Sequence, residues 1–193
     1  YWQRGLAAEQ TGQEAQRMRD LRQAHAIYRK SSTSVPAKLL WDLARAEIML
    51  GYPATATRLR IAAIERTTRR GRLAGHKPVL ARSYLALGDI ATAERLIDES
   101  AALVDRIRRR RPDHKKLNSI DAQIFRSRGK LSMTIGEYRA AETWYRKASR
   151  SVEIAFRDSP ESRGVRFKRA LIGAEIARSL VGQGRLIEAE IQI

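Results

Sequence analysis

The side chains best suited to chemistry in this sequence are three histidines, His25, His76 and His114, set among many arginines; there is no cysteine. Without cysteine, disulfides and thiolate metal sites are excluded. The histidines share no helix-face spacing such as i, i+4, so a histidine-held metal or a general base would have to be assembled from distant segments. Met18, Met49 and Met133 are too scattered for a soft-metal site and suit packing instead. The adjacent acids Asp98 and Glu99 sit among arginines in a helical pattern, which makes them partners in surface ion pairs. The glycines are separated by helical stretches rather than clustered after a strand, so no phosphate-binding loop is present. The chain is read as non-catalytic, with no cofactor and no metal.

What remains is charge. The 193 residues carry 38 lysines and arginines against 21 acids, a net +17. Such a surplus attracts polyanions: nucleic acid, an acidic membrane surface or an acidic protein. Residues 66–77, 106–116 and 157–169 have net charges of +5, +6 and +3, and together hold 14 of the 17 excess charges. Arg69 and Arg70 lie in the first stretch; Arg108, Arg109, Arg110 and Arg111 form the densest run, in the second. Cations gather at helix C-termini because the backbone dipole is negative there, which accounts for part of this pattern but hardly for four arginines in a row. Trp2, Trp41 and Trp144 are not interleaved with that run, so base stacking beside it is unsupported and nucleic acid ranks behind protein as a partner, with self-association of the chain as a further alternative.

The elements that must carry these charges are legible in a repeat. Hydrophobic residues make up 43% of the chain and aromatics 6%, a composition suited to closely packed helices. Gly12, Gly51, Gly88, Gly136 and Gly184 each follow an apolar helical stretch, at spacings of 39, 37, 48 and 48. Seven residues before them stand Gly5, Ala44, Ala81, Gly129 and Ala177; five after stand Arg17, Ala56, Ala93, Ala141 and Ala189; twelve after stand Ala24, Ala63, Ser100 and Ala148. Small side chains at fixed phase let two helix backbones approach where they cross, and the glycine ends the first helix in a left-handed conformation. Large residues nine after (Leu21, Arg60, Ile97, Tyr145, Ile193) and two after (Glu14, Pro53, Ile90, Tyr138, Leu186) are expected to fill the space beside the small ones.

This pattern resembles the tetratricopeptide repeat (TPR): helix A, a tight glycine turn, helix B. The clearest units are Ala81 to Ile97 around Gly88 and Gly136 to Ala148, with a third opening at Gly184. The resemblance implies an all-α fold, a right-handed superhelical solenoid of antiparallel helix–turn–helix repeats, with residues 1–193 as one array. It also implies a protein-interaction scaffold whose concave face, lined by A helices, holds a segment of a partner. The units exceed the usual period of 34, so helices or connections are extended, and Arg60 and Arg128 stand where the family is usually apolar. Six residues before the turn glycine, where the family often carries an asparagine that holds the ligand's backbone, stand Leu6, Arg45, Arg82, Lys130 and Arg178. Arg45, Arg82, Lys130 and Arg178 are therefore expected to line a basic groove for an acidic segment, Arg suiting carboxylates through paired hydrogen bonds. Trp41, like Trp2 ten before its glycine, extends that groove. The three basic stretches join each B helix to the next A helix and are expected to stack on one anion-binding rim.

Helices are expected near 2–11, 13–30, 37–50, 53–70, 78–87, 90–110, 114–135, 138–157, 160–183 and from 186 onward. Pro36, Pro53, Pro78 and Pro160 are placed at helix starts, where the missing N–H costs nothing, with Ser159 as an N-cap. Gly71, Gly75 and Pro112 are read as connections. No apolar run approaches the ~18 residues a membrane span needs, and a cytoplasmic location is expected. Both ends read as cuts from a longer protein.

Overall fold

A turn glycine does its work through φ. Gly51, Gly88, Gly136 and Gly184 have φ of 82°, 81°, 82° and 76°, a region that side chains with a Cβ avoid. At each, two hydrogen bonds close the preceding helix. The glycine N–H donates to the carbonyl three residues back, and the next N–H donates to the carbonyl five back, as in Gly51 to Ile48 (3.0 Å) and Tyr52 to Glu47 (2.9 Å), or Gly136 to Met133 (3.3 Å) and Glu137 to Ser132 (2.8 Å). This is the Schellman arrangement, and it satisfies carbonyls that a helix end leaves unpaired. The chain then re-enters a helix at once: the carbonyls of Tyr52, Asp89, Glu137 and Arg185 accept from Ala56, Ala93, Ala141 and Ala189.

The computed structural model describes residues 14–30, 35–112, 114, 116–157 and 163–192, and among them are nine helices and no strand. The Gly12 turn, the helix expected over 2–11, Gly5, Leu6, Trp2, Ser159, Pro160 and Ile193 lie outside the described residues. Two compact units are present, 1–69 and 70–193. The first contains α1 (Glu14–Lys30), α2 (Ala37–Met49) and α3 (Pro53–Glu65). Its core joins Met18, Leu21 and Ala24 of α1 to Leu39, Leu43 and Ala46 of α2. Beside it the nearly buried Glu47 carboxylate accepts from Arg22 at 3.0 Å.

The second unit contains α4 (Arg70–Ala86), α5 (Ile90–Arg110), α6 (Leu117–Thr134), α7 (Tyr138–Ala155), α8 (Arg163–Gly182) and α9 (Leu186–Ile191). Each A helix packs on its own B helix, α4 on α5, α6 on α7, α8 on α9. Successive pairs stack through α4 and α5 on α6 and through α7 on α8. The small residues stand at the crossings: Ala44, Ala81, Gly129 and Ala177 on A helices and Ala56, Ala63, Ala93, Ser100, Ala141, Ala148 and Ala189 on B helices are all buried. The α6–α7 crossing is tight: a Cβ added at Gly129 would lie 2.6 Å from the ring of Tyr145, itself fully buried.

Three expectations are corrected. The large residues two after the glycine are not buried at the crossings within a unit: Ile90, Tyr138 and Leu186 are 37%, 37% and 63% exposed, although the Tyr138 ring does lie beside a small residue, Gly182 of α8. They are the first residue of each B helix, outside the crossing. Helix α3 stops at Glu65 rather than near 70, because its last carbonyls are taken by other donors. The Arg66 guanidinium donates to Ala62 (2.8 Å), the Thr67 hydroxyl to Ala63 (2.7 Å) and the Thr67 N–H to Ile64 (2.9 Å).

Helix α4 starts at Arg70, not 78, so Gly71 and Gly75 are helical and Pro78 lies inside the helix. Proline has no N–H for the carbonyl four residues back and normally breaks a helix there. Here the freed carbonyl is that of Ala74, and the fully buried Ser100 hydroxyl donates to it at 2.6 Å. The Lys77 ammonium on α4 also donates to Glu99, the residue before Ser100, and holds that carboxyl below its ordinary range.

Ser100→Ala is expected to leave the Ala74 carbonyl buried and unbonded, a cost of ~1–3 kcal/mol. Amide exchange should quicken at residues 74–77 more than at 79–86; uniform quickening would mean that the bond does not hold the front of α4. Gly129→Ala sets an overpacking cost of ~1–3 kcal/mol against the gain of ~1 kcal/mol in helix propensity, and a lowered midpoint in urea is expected. Gly71→Ala, whose new Cβ meets nothing within 4 Å, should raise the midpoint.

Candidate functional site

The first turns of α4 form one wall of an open groove. Gly71, Gly75 and Val79 fall at i, i+4 and i+8 along one face, with Arg72 and His76 beside them. The opposite wall is α6, where Lys116, Ser119, Ile120 and Gln123 repeat at i, i+3, i+4 and i+7. Ala155 and Phe156 at the end of α7 close it, giving a volume of about 500 Å³. The two glycines keep that wall free of side chains: a Cβ at Gly71 would have empty space around it, and one at Gly75 would meet only Ile120, at 3.8 Å. The groove is thus apolar in its middle (Val79, Ile120, Phe156) and cationic at Arg72 and Lys116. The Lys168 ammonium sits 3.9 Å from the Phe156 ring centroid, and burial lowers its pKa. His76 is half-buried, and burial followed by the nearby Arg72 charge pulls its imidazole down to about 4. At neutral pH it is an uncharged hydrogen-bonding group.

Gln123 is oriented from behind. The Arg82 guanidinium donates to its side-chain oxygen at 2.9 Å, to its backbone carbonyl at 3.3 Å and to the Ser127 hydroxyl at 2.8 Å. Because the donor fixes which end of the amide faces it, the Gln123 amide nitrogen turns the other way, with two hydrogens to offer. Ser127 lies 2.8 Å from the carbonyl of Pro78 and 2.9 Å from that of Gln123.

Arg82, Lys130 and Arg178 occupy equivalent positions on α4, α6 and α8. Lys130 and Arg178 are exposed, whereas Arg82 is half-buried and engaged with α6. Arg45, exposed on α2, and Trp41, half-buried with the Arg60 guanidinium 5.7 Å from its ring centroid, belong to the first unit. Burial brings the Arg60 guanidinium down to about 10, so it remains charged at neutral pH. Arg128 lies 5.2 Å from the Trp144 ring centroid and bonds Asp98 at 2.9 Å, and Lys147 stands 4.3 Å from the same centroid. Successive A helices are also joined by Arg126 of α6 and Glu175 of α8, through two bonds of 2.8 and 2.5 Å.

The basic run divides. Arg108 bonds Asp121 on α6 at 2.5 Å and Asp105 at 3.4 Å. Arg109 and Arg110 turn instead to a cavity that they share with Arg70 and Arg106, and Arg111 is exposed just past the helix end. Arg69 is exposed in the first unit. Among the described residues no group of three or more His, Cys, Asp and Glu is arranged to hold a metal ion, and no helix is long and apolar enough to cross a membrane.

Paired helices, left-handed glycine turns and small residues at the crossings define an all-α, TPR-like helical repeat. Two crystal structures share the fold, at TM-scores of 0.58 and 0.57. Both are of Podosopora anserina kinesin light chain nearly identical TPR-like repeats, one of them a point variant. They are 23% and 22% identical to this chain, and each alignment covers 98% of this chain and 88% of the other. Likeness at that identity establishes the fold alone. No family profile matches the chain, and no curated protein does.

Sequence reasoning missed the groove around Val79, Ile120 and Gln123, since it placed residues 71–77 in a connection. The i, i+4, i+8 line of Gly71, Gly75 and Val79 was the available signal. His76 supplies the test of this geometry. Its folded pKa lies below the unfolded value, so its contribution to stability is complete above pH ~6.5 and is lost as pH falls toward about 4. The thermal midpoint of the chain is expected to drop through that window, and a His76→Gln variant should drop less; equal slopes would place His76 in free solvent.

Proposed function

We propose that this chain is a non-catalytic interaction module that holds a short segment of a partner protein in the groove between α4 and α6. The observation that carries this reading is the pairing of an apolar floor with two cations and an oriented amide. Val79, Ile120 and Phe156 offer a seat for one apolar side chain. Arg72 and Lys116 stand beside that seat with no carboxylate among the described groove residues, which favours an acidic flank on the ligand. The Gln123 amide nitrogen supplies a donor for a ligand backbone carbonyl, the task that an asparagine performs in the repeat family this sequence resembles. Arg82 enters as the residue that aims Gln123, while Lys130 and Arg178 are available to acidic groups further along the segment. Arg45 and Trp41 are candidates for a contact of the same kind on the first unit. The TPR-like fold, generally non-catalytic, agrees with a scaffold role.

The test is selection of peptides from a random displayed library against the 193-residue chain, followed by titration of the enriched sequence. The expected consensus pairs an aromatic or branched apolar residue with Asp or Glu. The double variant Arg72→Gln/Lys116→Gln is expected to weaken the peptide about tenfold, near ~1.4 kcal/mol, with Arg150→Gln, an exposed charge on α7, as the unaffected control. A selected peptide that binds the double variant as well as the parent would put the partner site elsewhere.

A further inference from the structure

The arginines at the end of α5 form a second site, separate from the groove. Helices α4 and α5 are antiparallel, so the first residue of α4, Arg70, lies opposite the last turns of α5. There Arg106, Arg109 and Arg110, at i, i+3 and i+4, face the same way. With Arg70 they surround a cavity of about 440 Å³ whose remaining wall is Leu103 and Ile107. Among the described residues no acid lines it, and none of the four arginines forms a salt bridge. The contrast with Arg108 is internal to one helix: two positions from Arg106 it points away and is paired with Asp121 and Asp105. A cation at a helix end needs only the dipole to explain it. Four exposed guanidinium groups around one cavity, with the fifth paired to carboxylates, offer a concentrated positive field in which a bound anion relieves their mutual repulsion.

From this arrangement we infer that the cavity receives a phosphate monoester carried on a side chain of a partner protein. All four cations are arginines, whose planar forks match the oxygens of a phosphate two at a time. The volume exceeds that of a phosphate group alone, and Leu103 and Ile107 give an apolar surface to the stem that bears it. A nucleic-acid strand calls for cations tracking along it and aromatic faces for its bases. Here the cluster is compact, and no aromatic residue is among its described lining residues.

The experiment is fluorescence anisotropy at 150 mM salt (roughly the physiological ionic strength) with a labelled peptide carrying one phosphoserine among glycines and alanines. Its serine and glutamate counterparts, inorganic phosphate as competitor and oligothymidylates of increasing length are run alongside. The phosphopeptide is expected to bind at least about tenfold more tightly than the glutamate peptide, and inorganic phosphate should displace it. Arg106→Gln/Arg110→Gln should lower its affinity about tenfold or more, and Arg106→Lys/Arg110→Lys at least about threefold because an ammonium cannot fork. Arg108→Gln should stay within about twofold. Circular dichroism of each variant confirms the fold. Equal binding of phosphoserine and glutamate peptides, full rescue by lysine, or an equal loss in Arg108→Gln would each reduce the cluster to diffuse surface charge and overturn the inference. Tighter binding of the oligothymidylates, growing with length, would overturn it in favour of a nucleic-acid surface. None of these outcomes bears on the α4–α6 groove, whose lining shares no residue with this cavity.

Discussion

Proline has no hydrogen to give, and the second unit is organised around the donor that replaces it. Without a partner for the Ala74 carbonyl, α4 would begin near Pro78, as the usual preference for proline at helix starts directs. The Ser100 hydroxyl, buried in the α4–α5 crossing, takes that carbonyl, and the helix runs back to Arg70. The residues gained include Gly71, Arg72, Gly75 and His76, four of the eleven that line the groove, and Arg70, one quarter of the arginine cluster. That hydroxyl thus supports the part of α4 that lines both cavities. It occupies a position that the repeat reserves for a small residue, so packing and hydrogen bonding are met by the same side chain.

This explains what was and was not legible in the sequence. The turn glycines and the small residues at the crossings are single-residue constraints, one of backbone sterics and one of side-chain volume, and each is written at its own position. The continuation of α4 through Pro78 is not, since it depends on a residue 26 positions away. The early stop of α3 depends on side chains just past its end. The groove was hidden by the first of these, because residues assigned to a connection cannot be given a helical face. The basic run was visible as composition, but its division into paired Arg108 and cavity-facing Arg109 and Arg110 required Asp121, on the next helix.

Arginine therefore serves two ends in one chain. Arg82 and Arg126 bind A helix to A helix and spend their donors inside the protein. Arg128 covers Trp144 where the repeat pattern calls for an apolar residue, and does so with its guanidinium over the ring and its charge answered by Asp98. Arg70, Arg72, Arg106, Arg109 and Arg110 face cavities instead. The net charge reports neither role, and only the positions of the few carboxylates separate them.

Counted from its turn glycine, α3 ends after 14 residues and α5 after 22. The extra length, about 12 Å of helix, is the segment 103–110. Every residue that α5 gives to the arginine cavity lies in it. Seen as a growing chain, a repeat of this kind has one frozen end, the glycine turn, and one open end, where whole helical turns can be spliced in or removed without disturbing the crossing. Two added turns at that open end carry every residue that α5 gives to the cavity, and their loss would return the helix to the length of α3.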